Sequence, residues 1–216
     1  KLLYLLLCVT VCTSCATTLP LTEEAEVTDK IKVGSGPEDM VLDTATASTH
    51  RLLVACSARR KGEQPHGEIW SVNLATHTAL VMPRSGEPDS LNFHPHGIDL
   101  VQQNNGKWWL YAVNHAESGP KAQRNSVLIY EVLTDELQFV RQVKHPFIVS
   151  PNDVAGTTQG GFYVTNDSWK RTGIGLAFEK LSQRRSSRIT YCTAFGECKI
   201  VAKRLAYANG IRATAD

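Results

Sequence analysis

The feature of this chain that most restricts its possible folds is an internal repeat. A short motif occurs four times, at 36–40, 94–98, 150–154 and 207–211. The third residues of the four motifs are separated by 58, 56 and 57 residues, and they are Glu38, His96, Asn152 and Asn209. Repeats of this length are typical of propellers and solenoids, so we expect one supersecondary unit that is used several times.

Each repeat contains short segments with the composition of β-strands. The motifs are interpreted as turns, and apolar runs rich in Val, Ile, Tyr and Trp follow them. The predicted strands are 51–56, 68–74 and 79–82; 108–114, 127–132 and 139–143; and 162–166, 188–192 and 199–202. No segment after the leader shows a sustained apolar period of 3.6 residues, so a helical solenoid is disfavoured. Four short strands per repeat predict the blades of a β-propeller.

Residues 31–216 are therefore predicted to form a partial β-propeller domain, with repeats that begin near 36, 94, 150 and 207. Propellers have about 4–8 blades, and about three and a half are present here. We expect the chain to be part of a longer protein, because a six-bladed ring at this period needs about 340 residues.

The first residues have the pattern of a secretory leader. Lys1 precedes the mostly apolar run 2–11, which is too short to span a bilayer. Small residues then precede Cys15, as at a lipoprotein processing site, although ordinary cleavage near Ala16 remains an alternative. We expect 1–15 to be a signal peptide or lipoprotein leader and 16–30 a linker. The protein is expected to be secreted or held at the cell envelope, where the leader or a lipid anchor would attach it to a membrane.

Three of the six cysteines lie in this leader, and the remaining three are Cys56, Cys192 and Cys198. A hairpin that joins Cys192 and Cys198 predicts a local disulfide, while Cys56 lies in an apolar run and is interpreted as a buried thiol. The 23 basic and 21 acidic residues are mixed along the chain. This mixture argues against a nucleic-acid partner, which requires a strongly basic face.

The third motif residues are expected to meet at the axis of the propeller. Glu38, Asn152 and Asn209 carry hard oxygen donors, which suit calcium rather than zinc. Asp39 and Asp153, one position further on, are candidate ligands of a second ion. The alternative is that these residues only stabilise turns.

His96 is not a usual calcium ligand, so its place among these oxygen donors indicates a general base. His115 follows the next predicted strand and is a candidate to orient His96 or share its proton. The alternative for both histidines is a hydrogen-bonded residue of the pocket wall.

Several motifs occur in the order found in a known family. They are Gly-Pro-Glu-Asp-Met at 36–40, Phe-His-Pro-His-Gly-Ile at 93–98, Val-Asn-His at 113–115, Pro-Asn-Asp at 151–153, Thr-Asn-Asp at 165–167 and Tyr-Ala-Asn-Gly-Ile at 207–211. From about residue 33 to 211 the chain resembles the paraoxonases and arylesterases, which are six-bladed propellers with two calcium ions. The resemblance implies a calcium-dependent hydrolase of lactones and aryl esters.

The resemblance also implies roles for individual residues. Glu38, Asn152 and Asn209 would bind the catalytic calcium, and His96 would be the base with His115 as its partner. The structural calcium would be held by Asp39, Asp153 and the carbonyl of Ile98. The family's remaining catalytic-calcium ligands, an Asp-Asn pair one blade further on, are expected beyond residue 216, and 170–187 differs from the expected composition. Two rival functions are a gluconolactonase-like or strictosidine-synthase-like enzyme, and a non-catalytic, calcium-stabilised propeller that binds an envelope ligand.

Overall fold

A computed structural model describes residues 27, 29–45, 50–58, 66–115, 125–168 and 185–214. The predicted leader, its Cys15, most of the linker and most of 170–187 lie outside these residues. The unit considered below comprises Ile31–Asp216. Its described residues form thirteen strands and include no helix long and apolar enough to cross a membrane.

The strands form three sheets in chain order. The first sheet, or blade, is ordered β1-β2-β3-β4 and the third β10-β11-β12-β13, whereas the second is ordered β5-β9-β8-β7-β6. The strands are β1 (Pro37–Asp43), β2 (Arg51–Cys56), β3 (Glu68–Asn73), β4 (Ala79–Val81), β5 (Arg84–Ser85), β6 (Pro95–Gln102), β7 (Trp108–Asn114), β8 (Ser126–Val132), β9 (Leu137–Val143), β10 (Pro151–Gly156), β11 (Phe162–Asn166), β12 (Ser187–Cys192) and β13 (Cys198–Leu205). The prediction of an all-β chain built from propeller blades is confirmed.

The interpretation of the motifs as turns is wrong for three of them. These three motifs begin the innermost strands β1, β6 and β10. Proline is tolerated there because the first residue of an edge strand needs no ladder N–H. In all three strands the pairing register shifts directly after this proline, between Pro37 and Asp39, between Pro95 and Ile98, and between Pro151 and Val154. Such bulges redirect side chains at the end of a strand. The fourth motif lies in an irregular segment after β13.

The predicted strands agree closely with the structure because their apolar runs are buried. In β7, Leu110 and Ala112 pack with the first blade, whereas Tyr111 and Val113 pack with the third. The second blade is therefore covered on both faces, which explains why its strands are almost continuously apolar. The sequence did not reveal β5, which has two residues and pairs in parallel with β9.

Two side-chain links stabilise the blades. The side chain of Arg51 pairs with Asp43 at 2.5 Å and donates to the carbonyl of Thr134 in the second blade at 2.7 Å. In the third blade, Cys192 and Cys198 face each other across β12 and β13 and form a disulfide with their Cα atoms 4.1 Å apart. Cys56 is a buried free thiol.

Candidate active site

The innermost strands of the three blades lie side by side, because β1 contacts β6 and β6 contacts β10. Their first residues surround a cavity of about 540 Å³ at one end of the sheets. All four third motif residues line it. The complete lining is Glu38, Asp39, His96, Gly97, Asn152, Asp153, Tyr207, Asn209 and Gly210.

Two of the lining side chains form a close acid and base pair. Nε2 of His96 lies 3.8 Å from Oε2 of Glu38, and the two side chains are 15% and 18% exposed. These low exposures mean that water screens the interaction only in part. Glu38 and His96 come from neighbouring blades, so their approach depends on the packing of β1 against β6.

His115 reaches the same region from the second strand of its blade. Its ring stacks on that of His96, with centroids 5.0 Å apart and an angle of 30° between the planes. The backbone N–H of His115 donates to the carbonyl of His94 at 2.9 Å, which fixes the chain on both sides of the stack. The structure thus brings together the two histidines that the sequence proposed as a pair.

Asp39 and Asp153 occupy equivalent positions and make equivalent hydrogen bonds. Each Oδ1 accepts the N–H of the next residue, and each Oδ2 accepts the N–H of the isoleucine in the next motif. The latter distances are 2.7 Å from Ile98 and 2.8 Å from Ile211. A carboxylate offers about four acceptor sites, so these bonds leave capacity for a metal ion. Ile98 therefore lies beside Asp39, although its observed contact is through N–H.

Gly97 allows the third innermost strand to approach the second. A β-carbon at this position would lie 2.5 Å from Cα of Asp153 and 2.6 Å from the carbonyl oxygen of Asn152. Both distances are far below van der Waals contact. The two repeats with Asp at this position use its carboxylate to join the next motif, whereas the second repeat uses direct backbone approach.

Negative charge accumulates on this side of the cavity. The pKa of Asp153 is raised to about 6, mainly by burial; hydrogen bonds from Ile211 and Val154 oppose the rise, and the charges of Asp39 and Asp99 add to it. Carboxylates held together in this way are stabilised by a cation.

Asp99 lies outside the cavity lining, near Asp39 and Asp153, and the sequence analysis missed it. Burial raises its pKa, and its Oδ2 accepts the N–H of Gly156 in β10 at 2.8 Å. The equivalent residues of the other innermost strands are Val41 and Ala155. A lone polar residue in an apolar register was the signal that could have revealed it.

The irregular segment after β13 closes the described part of the cavity. The hydroxyl of Thr165 donates to the carbonyl of Asn209 at 2.7 Å, which ties this segment to β11. Tyr207 also lines the cavity, is 57% exposed and has a φ of 51°, a left-handed conformation rare for a bulky side chain. Its aromatic ring was not identified as a site residue from the sequence.

The residues present fit an ion that prefers oxygen ligands. Within the described ranges, no group of three or more His, Cys, Asp or Glu residues is arranged to hold a metal. The cavity instead combines the carboxylates of Glu38, Asp39 and Asp153 with the amides of Asn152 and Asn209. Carboxylate and amide oxygens are typical calcium donors, and the mutually repelling carboxylates supply the electrostatic demand for a cation.

Known proteins are similar to this chain in sequence or in fold. The chain is 27% identical over 148 residues to human serum paraoxonase/lactonase 3, covering 68% of this chain and 41% of that protein. It is 30% identical over 130 residues to human serum paraoxonase/arylesterase 2, covering 59% and 35%. The solved Dos1 propeller has a TM-score of 0.41 and 12% identity, covering 72% of this chain and 35% of that chain.

The chain thus spans about two fifths of the length of these two human relatives. A family model described as Arylesterase matches residues 46–216, which include all three described blades from β2 onwards and the fourth motif. The match therefore contains His96, His115, Asn152 and Asn209, four of the residues that meet around the cavity. By its sequence and by the repeat that builds this cavity, the chain belongs to the arylesterase family.

Proposed function

We propose that this chain carries part of the active site of a calcium-dependent hydrolase of lactones and aryl esters. The observation that supports the proposal is the convergence of Glu38, His96, Asn152 and Asn209 on one cavity. These residues are far apart in the chain and occupy the same position in successive repeats. Two human relatives carry the words lactonase and arylesterase in their names.

Two calcium positions are proposed from the donor set. Glu38, Asn152 and Asn209 would hold the catalytic ion, and Asp39, Asp153 and the carbonyl of Ile98 the structural one. A calcium ion held at the first position would polarise an ester carbonyl and would stabilise the negative charge on its oxygen.

His96 accepts a proton from the attacking water in this proposal. The carboxylate of Glu38, 3.8 Å from Nε2, stabilises the imidazolium that results. His115 stacks on His96 and limits the orientations of its ring. The base is therefore held in place before substrate binds, which reduces the entropic cost of reaching the transition state.

The proposed reaction balances without a further reactant. Water loses a proton to His96 and its oxygen bonds to the carbonyl carbon. The bond from that carbon to the ring or aryl oxygen then breaks, and His96 returns the proton to the leaving oxygen. A lactone gives a hydroxy acid, and an aryl ester gives a phenol and an acid.

Two other functions remain as alternatives. A gluconolactonase-like or strictosidine-synthase-like enzyme would use the same axial cavity on a different substrate. A non-catalytic propeller would bind an envelope ligand and use calcium only to hold its blades together. Turnover of a panel that contains simple lactones, aryl esters and gluconolactone separates these alternatives: hydrolysis of the first two supports the proposed function, hydrolysis of gluconolactone alone supports a gluconolactonase-like enzyme, and no hydrolysis supports a binding propeller.

The proposed setting is outside the cytoplasm, with 1–15 as a signal peptide or lipoprotein leader and 16–30 as a linker. Mass spectrometry of the mature N-terminus tests this proposal. A diacylglycerol-modified Cys15 would establish a lipid anchor, cleavage near Ala16 would establish a secreted form, and an unprocessed leader would contradict both.

The decisive experiment measures hydrolysis of lactones and aryl esters by the full-length protein, before and after chelation and after calcium is restored. We expect activity to vanish and return. Glu38→Gln should abolish the activity. His96→Gln should leave residual activity, because the ion would still stabilise the negative charge on the carbonyl oxygen. Glu131→Gln is the matched control, since the Glu131 side chain is as exposed as that of Glu38 but pairs with Lys107 and does not line the cavity. A folded, calcium-loaded protein that hydrolyses none of the panel would refute the proposal.

A further inference from the structure

The last residue of each second strand has the same relation to the motif in all three repeats. It pairs with the motif proline, and the pairs are Pro37 with Cys56, Pro95 with Asn114, and Pro151 with Asn166. The next residue donates its N–H to the carbonyl that precedes the proline, at distances of 2.9 to 3.0 Å in the three repeats. The end of the second strand is therefore the support on which each motif rests.

Asn114 holds the segment that leads to His96. Its Oδ1 accepts the N–H of His94 at 2.6 Å, and its Nδ2 donates to the carbonyl of Asn92 at 2.9 Å. The residue is 3% exposed, so water does not compete for these bonds. Asn114 therefore adjoins both stacked histidines: its side chain fixes the segment two residues before His96, and its backbone leads directly into His115.

Asn166 holds the segment that leads to Asn152 in the same manner. Its Oδ1 accepts the N–H groups of Val149 at 2.6 Å and Ser150 at 3.1 Å, and it is fully buried. Buried backbone N–H groups require partners. In both repeats, the asparagine supplies a partner where the segment before proline cannot obtain one from the sheet.

The first repeat supports its motif in another way. Cys56 occupies the equivalent position, and Gly36 before the motif proline has a φ of 60°. Glycine adopts this left-handed conformation without strain, so the approach to Glu38 is a glycine turn. Among the three described repeats, asparagine therefore supports the motif in the second and third repeats and not in the first.

We propose that Asn114 and Asn166 are positioning residues of the active site, with separate duties. Asn114 sets the geometry of the His96 and His115 pair, and Asn166 sets that of the calcium ligand Asn152. The inference rests on the proposed function for the meaning of the two geometries. Residues that orient metal ligands typically change metal affinity or activity about 10- to 100-fold when they are removed.

The test compares Asn114→Ala and Asn166→Ala in the full-length protein. Asn166→Ala should weaken calcium binding, measured by isothermal titration calorimetry, about 10- to 100-fold. Asn114→Ala should leave calcium affinity within about twofold of the wild type and lower kcat about 10- to 100-fold with little change in KM. In histidine-ring NMR spectra, it should also shift the signals of His96 and His115.

Asn73→Ala is the matched control. Oδ1 of Asn73 also accepts two backbone N–H groups, from Ala75 and Thr76 at 2.9 Å, but in the turn between β3 and β4. It should change neither calcium affinity nor the histidine spectra. Should Asn166→Ala fail to fold, Asn166→Asp keeps the acceptor oxygen, and we expect wild-type-like calcium affinity within about threefold.

The proposal is overturned if Asn114→Ala and Asn166→Ala change calcium affinity equally, or if both behave as Asn73→Ala. A folded Asn166→Asp that binds calcium as weakly as a ligand deletion such as Asn152→Ala also overturns it. A wild-type protein that hydrolyses no lactone or ester refutes the proposed function instead. In that case the calcium titrations and histidine spectra still decide whether the asparagines position these residues.

Discussion

Replacing Gly97 with alanine should disrupt the cavity by forcing two blades apart. The new β-carbon would lie 2.5 Å from Cα of Asp153 and 2.6 Å from the carbonyl oxygen of Asn152. Normal contact distances are about 3.5–4.0 Å, so the backbone of β10 must move by about 1 Å. The displaced segment carries two proposed calcium ligands.

Two magnitudes follow from this displacement. Forcing a methyl group into a packed site typically lowers the free energy of unfolding by about 1–3 kcal/mol. A misplacement of about 1 Å at reacting groups can lower activity about 100-fold. We therefore expect Gly97→Ala to reduce activity and calcium affinity much more than its modest loss of stability alone would suggest.

Gly161→Ala provides the steric control. Its β-carbon would lie 2.7 Å from the hydroxyl of Tyr191 and 2.9 Å from the carbonyl of Cys192, at the opposite end of the third blade from the motif. Urea denaturation should show comparable destabilisation, but calcium titration should distinguish the two variants. Gly97→Ala protein with wild-type calcium affinity and activity would refute the reasoning.

Three further predictions concern charge and covalent support. Because the pKa of Asp153 is raised to about 6, protons should compete with calcium below that pH and weaken calcium binding about tenfold at pH 5. In the calcium-free protein, the same carboxyl group should stabilise the folded state below its ordinary pKa and lose that contribution as the pH rises through 6. Calcium titrations that give the same affinity at pH 5 and pH 7 would contradict the binding prediction. Arg51→Met should lower the free energy of unfolding by about 3–5 kcal/mol because it strands the buried carboxylate of Asp43, and chemical denaturation should show recovery when Asp43→Leu is added. Reducing the disulfide of Cys192 and Cys198, which closes a short loop, should cost about 2 kcal/mol in thermal unfolding, and an unchanged Tm would exclude this contribution.

Much of the candidate site could be predicted from sequence because it is repeated. Equivalent positions of a repeat converge in space, so the sequence predicts that Glu38, His96, Asn152 and Asn209 meet. The stacking of His115 on His96 and the pairing of Cys192 with Cys198 agree with the arrangement anticipated from their places at strand ends. The metal ligation and proton transfer assigned to these residues stay predictions.

Other residues have roles that depend on contacts with segments distant in the chain. Asp99 accepts an N–H from β10, Gly97 admits the backbone of β10, and Asn166 supports the segment before Asn152. Nothing in the local composition specifies these partners, because they belong to strands more than ten residues away. The motifs were read as turns for the same reason: Pro, Asn and Gly have turn propensity, and only pairing with the second strand makes them part of a bulged strand.

The sequence by itself determined the all-β class, the blade period, the family and the residues that share one axis. The repeat, the motifs and the apolar patterning follow from the order of residues along the chain, and they do not depend on which strands pack together. Tertiary structure decided how those residues are presented. Bulges after each motif proline, carboxylates that accept N–H groups from the next blade, and buried asparagines set distances such as the 3.8 Å between His96 and Glu38. These features arise only when strands pair within a blade and the blades pack together, because each buried donor must then find an acceptor.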